Sequence, residues 1–200
     1  MIIEFVGIQG AGKSTLAREL STLSDLPCHV GLKPRQGNMY RRWLSRLGDF
    51  AAVPDLALRC VPGITSPRTA ILFARLCRYE RYMRALKRDK GIHILEEGPI
   101  HGIARLGTND LRNFDLIHRV SVPYLIVHVT VEPELAYKRI LERSGQIDID
   151  KMPKGQAIKQ LRSRTTIITQ LLRNTPGKTI TIDGEATPQS NAALLSSMLD

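Results

Sequence analysis

Aromatic residues make up only 5% of this 200-residue chain, and there are just three cysteines, Cys28, Cys60 and Cys77. They are far apart and form no CxxC pair. That excludes a disulfide framework or a cysteine zinc site and points to a reducing, cytoplasmic setting. Long apolar runs are also missing. A bilayer span needs about 20 such residues, whereas the early run IIEFVGI is interrupted by Glu4 and is too short for a signal peptide. No membrane partner is expected. No repeat, low-complexity tract or linker divides the chain, so residues 1–200 are expected to form a single domain with one core. Acidic residues are the last deficit, 19 against 29 Lys and Arg, for a formal net charge of +10. Such an excess asks for an anionic partner.

The 42% of residues that are hydrophobic fall in an ordered pattern. Ile2–Val6 is a short apolar run, followed by GIQGAGKST and then by a stretch with Leu16, Leu20 and Leu23 at helical spacing. A second run, Cys28–Leu32, stops at the KPRQG turn. Residues 39–90 are mostly helical in pattern, broken at Pro54 and around Pro62, Gly63 and Pro67. GIHILEEGP supplies a third strand, Tyr124–Thr130 a fourth and Lys178–Ile182 a fifth, with the helical EPELAYKRILERSG after the fourth. Strands alternating with helices predict an α/β fold with a parallel sheet covered on both faces.

Gly7-Ile8-Gln9-Gly10-Ala11-Gly12-Lys13-Ser14-Thr15 matches GxxxxGK[ST] in full. Glycines let backbone amides turn inward onto a phosphate, and the following helix presents its positive end. Lys13 brings a point charge to the outer phosphates, and the Ser14 hydroxyl is a ligand for Mg²⁺. The motif follows a strand and opens an apolar-periodic helix, the context this chemistry requires. Gly7, Gly10, Ala11, Gly12, Lys13, Ser14 and Thr15 are therefore the expected nucleotide-binding residues.

Glu96 and Glu97 close the third strand, at the edge where open α/β sheets bind ligands. Either suits Mg²⁺ or the proton of an acceptor hydroxyl, and the spacing does not choose between them. Arg139 and Arg143 are four apart, so on a helix they share one face and reach one phosphate. The polar segment from Gly145 to Gly155 reads as a cover, which phosphoryl transfer needs to exclude water.

Between 33 and 90 there are 14 basic and 4 acidic residues, while the remaining 15 basic and 15 acidic residues cancel. The whole charge excess thus lies in one segment. On a helical wheel Leu72, Leu76, Tyr79, Met83 and Leu86 form the inner stripe of the helix there. Arg75 and Arg78 flank that stripe as candidates to line a cleft, and Arg81, Arg84 and Arg88 point to solvent. Arg35 follows the second strand, at the ligand edge of the sheet. Tyr40, Trp43 and Tyr82 read as core more readily than as base-stacking residues, His93 as a core histidine and His101 as a minor substrate-contact candidate.

In motif order the chain resembles the P-loop nucleotide and deoxynucleoside kinases, thymidylate kinases most of all. GIQGAGKST, AILFAR at 70–75, LEEG at 95–98, KRILER at 138–143 and TIDGEATP at 181–188 stand where that family has its phosphate loop, substrate helix, acidic strand end, lid and base-side turn. The resemblance implies a three-layer α/β/α P-loop NTPase fold with a five-stranded parallel sheet in order 2-3-1-4-5. It also implies a helical acceptor-binding insertion at about 33–90 and a lid at about 143–156. Three positions depart from the family. Glu97 stands where an Arg is expected after the acid, Cys77 falls on an Arg position, and KPRQG replaces REPGG. Thymidylate is therefore not carried over as the substrate.

The expected function is an ATP- and Mg²⁺-dependent kinase. It would use Lys13, Glu96, Arg139 and Arg143 for catalysis, Ser14 with Glu96 or Glu97 for the metal, and Arg35, Arg75 and Arg78 for the acceptor. The acceptor would be a small molecule such as a nucleoside or nucleoside monophosphate, strongly anionic or part of a larger anionic molecule. A nucleic-acid-directed kinase or binding protein and a regulatory NTPase are the alternatives, nucleic acid being the less favoured partner, and a homodimer stays open.

Overall fold

The computed structural model describes residues 1–23, 28–30, 77–81, 83–88, 91–96, 98–105, 125–143 and 149–199. The candidates Arg35, Arg75 and Glu97 lie outside the described residues, as do Tyr40, Trp43, Tyr82 and residues 144–148 of the expected lid.

Five strands form one parallel sheet: β1 (Ile2–Val6), β2 (Cys28–Val30), β3 (Ile92–Leu95), β4 (Leu125–Thr130) and β5 (Lys178–Asp183), in the order β2-β3-β1-β4-β5. All of β1 and β3 is buried, as continuous apolar runs in the middle of a parallel sheet must be. β5 is an edge strand, and of its six residues only Ile182 is fully buried. Glu4 pairs in register with Leu95 on one side and Ile126 on the other.

The helices are α1 (Lys13–Leu23), α2 (Pro99–Arg105), α3 (Pro133–Glu142), α4 (Lys154–Arg173) and α5 (Pro188–Ser197). α1 packs on α5, and α4 packs on α2 and α3. Leu16, Ala17 and Leu20 of α1 are buried with Phe5, Ile126 and Leu195 in the main core. Local chemistry sets the starts of the helices. α3 has Pro133 in its first turn, where a missing N–H costs nothing, and Glu134 faces the positive end of the helix. α5 also opens with a proline and is capped by the Thr187 hydroxyl, which accepts from the Ser190 amide at 3.3 Å.

Residues 77–81 and 83–86 are helical, and Met83 packs with Ile2 and Leu95 in a second, smaller core. The buried stripe here differs from the expected one: Cys77, Glu80 and Met83 are buried, and Tyr79 is only partly so. Glu80 is tolerated inside because the Arg84 guanidinium, one turn on, donates to it at 3.0 Å. Arg81 and Arg88 are exposed, as the wheel predicts. Within the span expected for a lid, Lys154 and Gly155 belong to α4, and Ile149 is buried in the main core. Among the described residues no helix is long and apolar enough to cross a membrane.

Candidate active site

Because every strand runs the same way, Gly7, Glu96, Val131 and Gly184, each directly following its strand, come to one rim of the sheet. This is where ligands bind in such sheets. The phosphate loop leaves β1 at Gly7 and enters α1 at Lys13. It turns through Gly10 at φ 82° and Gly12 at φ 90°, left-handed conformations that a side chain disfavours. Gly10 also lies against the Ala136 carbonyl of α3, leaving no space for a Cβ.

Lys13 is folded back over this loop. Its ammonium donates to the Gly7 carbonyl at 2.9 Å and to the Ile8 carbonyl at 2.8 Å. The Ser14 hydroxyl donates to Glu96 Oε2 at 3.0 Å, across 82 residues of sequence. Of the two candidate carboxylates, Glu96 is thus the one seen beside the loop. The pair offers two hard oxygen donors at the mouth of an anion cradle, a donor set that fits Mg²⁺. Among the described residues no cluster of three or more His, Cys, Asp or Glu side chains is suited to a metal ion.

Arg139 is half-buried, and its Nη1 donates to the Gly184 carbonyl at 2.8 Å. Gly184 follows β5 and donates to the Thr130 carbonyl at 2.7 Å. The β5 turn, Arg139 and the phosphate loop are therefore neighbours, since Gly184 also lies against the Ala11 carbonyl. Arg143 is exposed one residue past the end of α3, in an extended conformation. As the C-cap residue it stands one turn beyond Arg139. Arg78 is half-buried on the helical segment whose Met83 touches the sheet beside Glu96.

The residue reading passed over Arg164. On α4 its Nη1 donates to Gln9 Oε1 of the phosphate loop at 2.9 Å, and with Gly7, Gln9 and His101 it lines a small recess beside the loop. The sequence signal was slight, one arginine among several in a helix. Its partner lies 155 residues away. His93 is buried in β3, as expected, and His101 is buried at the start of α2.

Next to the loop, a groove of about 770 Å³ opens between the far ends of β4 and β5 and α4, lined by His128, Thr130, Thr165, Thr169, Asp183 and Glu185. Burial lowers the His128 pKa and so favours its neutral form. Lys13, Ser14 and Glu96 do not line this groove. The site is therefore assigned from its converging donors rather than from volume.

No family model matches this chain, and neither does any curated protein. Among solved structures it is similar to deoxyadenosine kinase from M. mycoides with the products dCMP and dCDP bound. The TM-score is 0.60 at 16% identity, covering 100% of this chain and 98% of that one. The same enzyme with bound dATP also gives 0.60 at 16% identity, covering 100% and 99%. Shikimate kinase from Acinetobacter baumannii, in complex with shikimate, gives 0.54 at 16% identity, covering 99% and 92%. Beneath that low identity, the chain has the fold shared by these P-loop kinases.

Proposed function

We propose that this chain is an ATP-dependent phosphotransferase acting on a small acceptor, a nucleoside, a nucleoside monophosphate or a related anionic metabolite. The observation that carries the reading is the pairing of Ser14 with Glu96 beside Lys13. It sets a phosphate cradle, a cation and a carboxylate side by side. Similarity to kinases of deoxyadenosine and shikimate supports a small acceptor.

In this reading the amides of Gly10 to Thr15 hold the triphosphate, and Lys13 moves from the Gly7 and Ile8 carbonyls onto the outer phosphates. Ser14 and Glu96 hold Mg²⁺, which neutralises charge on the phosphates when bound. The γ-phosphoryl group passes to the acceptor oxygen, and the acceptor's proton leaves to a carboxylate at the rim or to water. Arg139, fixed beside Gly184, flanks the base end of the nucleotide, and Arg143 closes with the lid. Arg35, Arg75 and Arg78 belong to the basic segment that receives the acceptor. Catalysis is then mainly positioning and electrostatics. The reading is of a cytoplasmic enzyme, which the dispersed cysteines support.

The test is ATP consumption by the full chain without acceptor, with a panel of nucleosides, monophosphates and phosphorylated metabolites, and with 5′-hydroxyl oligonucleotides. Stimulation by a small acceptor is expected. Acceptor-independent turnover as fast as any stimulated rate overturns the kinase reading in favour of a regulatory NTPase, and selective stimulation by oligonucleotides moves it to nucleic acid. Lys13→Ala is expected to abolish turnover while unfolding stays cooperative. Wild-type turnover in that variant refutes the site assignment.

A further inference from the structure

Glu4 is fully buried in the middle of β1, and neither the phosphate cradle nor the acceptor site uses it. Its Oε1 accepts the His101 amide at 3.0 Å, one of the amides at the start of α2 that helix geometry leaves without partners. Helices usually meet this need with a side chain at the cap. Here Gly98 precedes the helix and has none, and Pro99 has no N–H to offer. The cap is supplied instead from another strand. The fit is close, because a Cβ on Gly98 would stand 2.6 Å from Glu4 Oε2.

Glu96 sits between two fixed points. On one side Leu95 is in register with Glu4 on β1. On the other, the Glu4 side chain grips 98–101. Only two residues of sequence separate Leu95 from Gly98, so Glu96 lies between two held positions. We infer that Glu4 is a positioning residue for the active site: from the sheet interior, its carboxyl group clamps the start of α2 and thereby holds Glu96 against Ser14 at the phosphate loop. The inference rests on the proposed role of Ser14 and Glu96 toward Mg²⁺, and it concerns a residue that touches neither substrate nor metal.

The test compares ATP affinity with Mg²⁺ and with EDTA, measured calorimetrically on the full chain alongside its melting temperature. Glu4→Met keeps the length of the side chain and removes the acceptor, whereas Glu4→Gln keeps an acceptor oxygen. Outer partners of metal ligands typically change metal affinity by about 10- to 100-fold, so the gain in ATP affinity from Mg²⁺ is expected to fall at least about tenfold in Glu4→Met. Affinity in EDTA should hold, and Glu4→Gln should restore most of the gain. The melting temperature of Glu4→Met is expected to fall, because the buried His101 amide loses its acceptor, and Glu4→Gln should recover it. A merely structural role predicts that stability is lost with the Mg²⁺ gain intact, and that result overturns the inference. Gly98→Ala pushes on the same contact from the other side and should reduce the same gain; an unchanged gain there also overturns it. If the wild-type protein itself gains nothing from Mg²⁺, the Ser14 and Glu96 reading falls and takes this inference with it. A normal wild-type gain that survives in Glu4→Met sinks the inference alone.

Discussion

At the scale of single residues, Glu4 couples the fold to pH. Burial pushes its carboxyl up from 4.5 to about 8, against the opposing pull of the His101, Ile100 and Gly98 amides. In the unfolded chain the group titrates near its ordinary value. Between the two, the folded state holds a proton that the unfolded state has lost. This contribution to stability is complete below about pH 4.5 and declines through the folded pKa near 8, by up to about 1.4 kcal/mol per pH unit. Glu4→Gln is expected to flatten that decline, as read from denaturant midpoints at several pH values across the window; an unchanged slope would assign the effect elsewhere. Nothing in the sequence marks this role. A lone Glu in an apolar strand looks like an interruption until the chain 97 residues further on is placed against it. The same holds for Arg164, whose meaning depends on Gln9. Lys13 and Ser14 were legible because their function is written in consecutive residues.

At the scale of elements, the phosphate loop is held by the backbone it touches. Gly10 needs both its positive φ and the absence of a Cβ facing the Ala136 carbonyl, whereas Gly12 needs only its φ, with open space around it. Gly12→Ala should cost about 1–2 kcal/mol, the penalty of a left-handed residue. Gly10→Ala should cost more, because α3 must also move. Urea titration of both variants checks the order, and equal losses would mean that the Ala136 contact yields freely. Strands were the easiest elements to read, since β1, β3 and β4 are uninterrupted or nearly uninterrupted apolar runs. α4 passed unread although Ala157, Leu161, Ile168 and Leu171 lie at helical spacing and are buried. Its many polar residues dilute that spacing.

For the whole molecule, charge is unevenly distributed along the chain. The segment 33–90 carries the entire excess of +10 and the rest of the chain is neutral. Exposed charges are screened over about 10 Å at 0.1 M salt, so raising ionic strength should weaken acceptor affinity more than ATP affinity. Steady-state KM values for both substrates across a salt series test this, and parallel changes would show that the basic segment does not serve the acceptor.

Fold class was legible because alternation of strand and helix is a global pattern, and the strand that matters most is the first. β1 sits at the centre of the sheet, yet both its neighbours come late: β3 at Ile92 and β4 at Leu125. Pairing of this kind closes long loops and is slow. During synthesis residues 1–15 precede both neighbouring strands, and Gly10 has no Ala136 to rest on until α3 follows. Nucleotide capture by a growing chain must therefore wait until α3 has been made. Until β3 is made β1 is an apolar strand without partners, and the acid at its centre is then a charged residue in water.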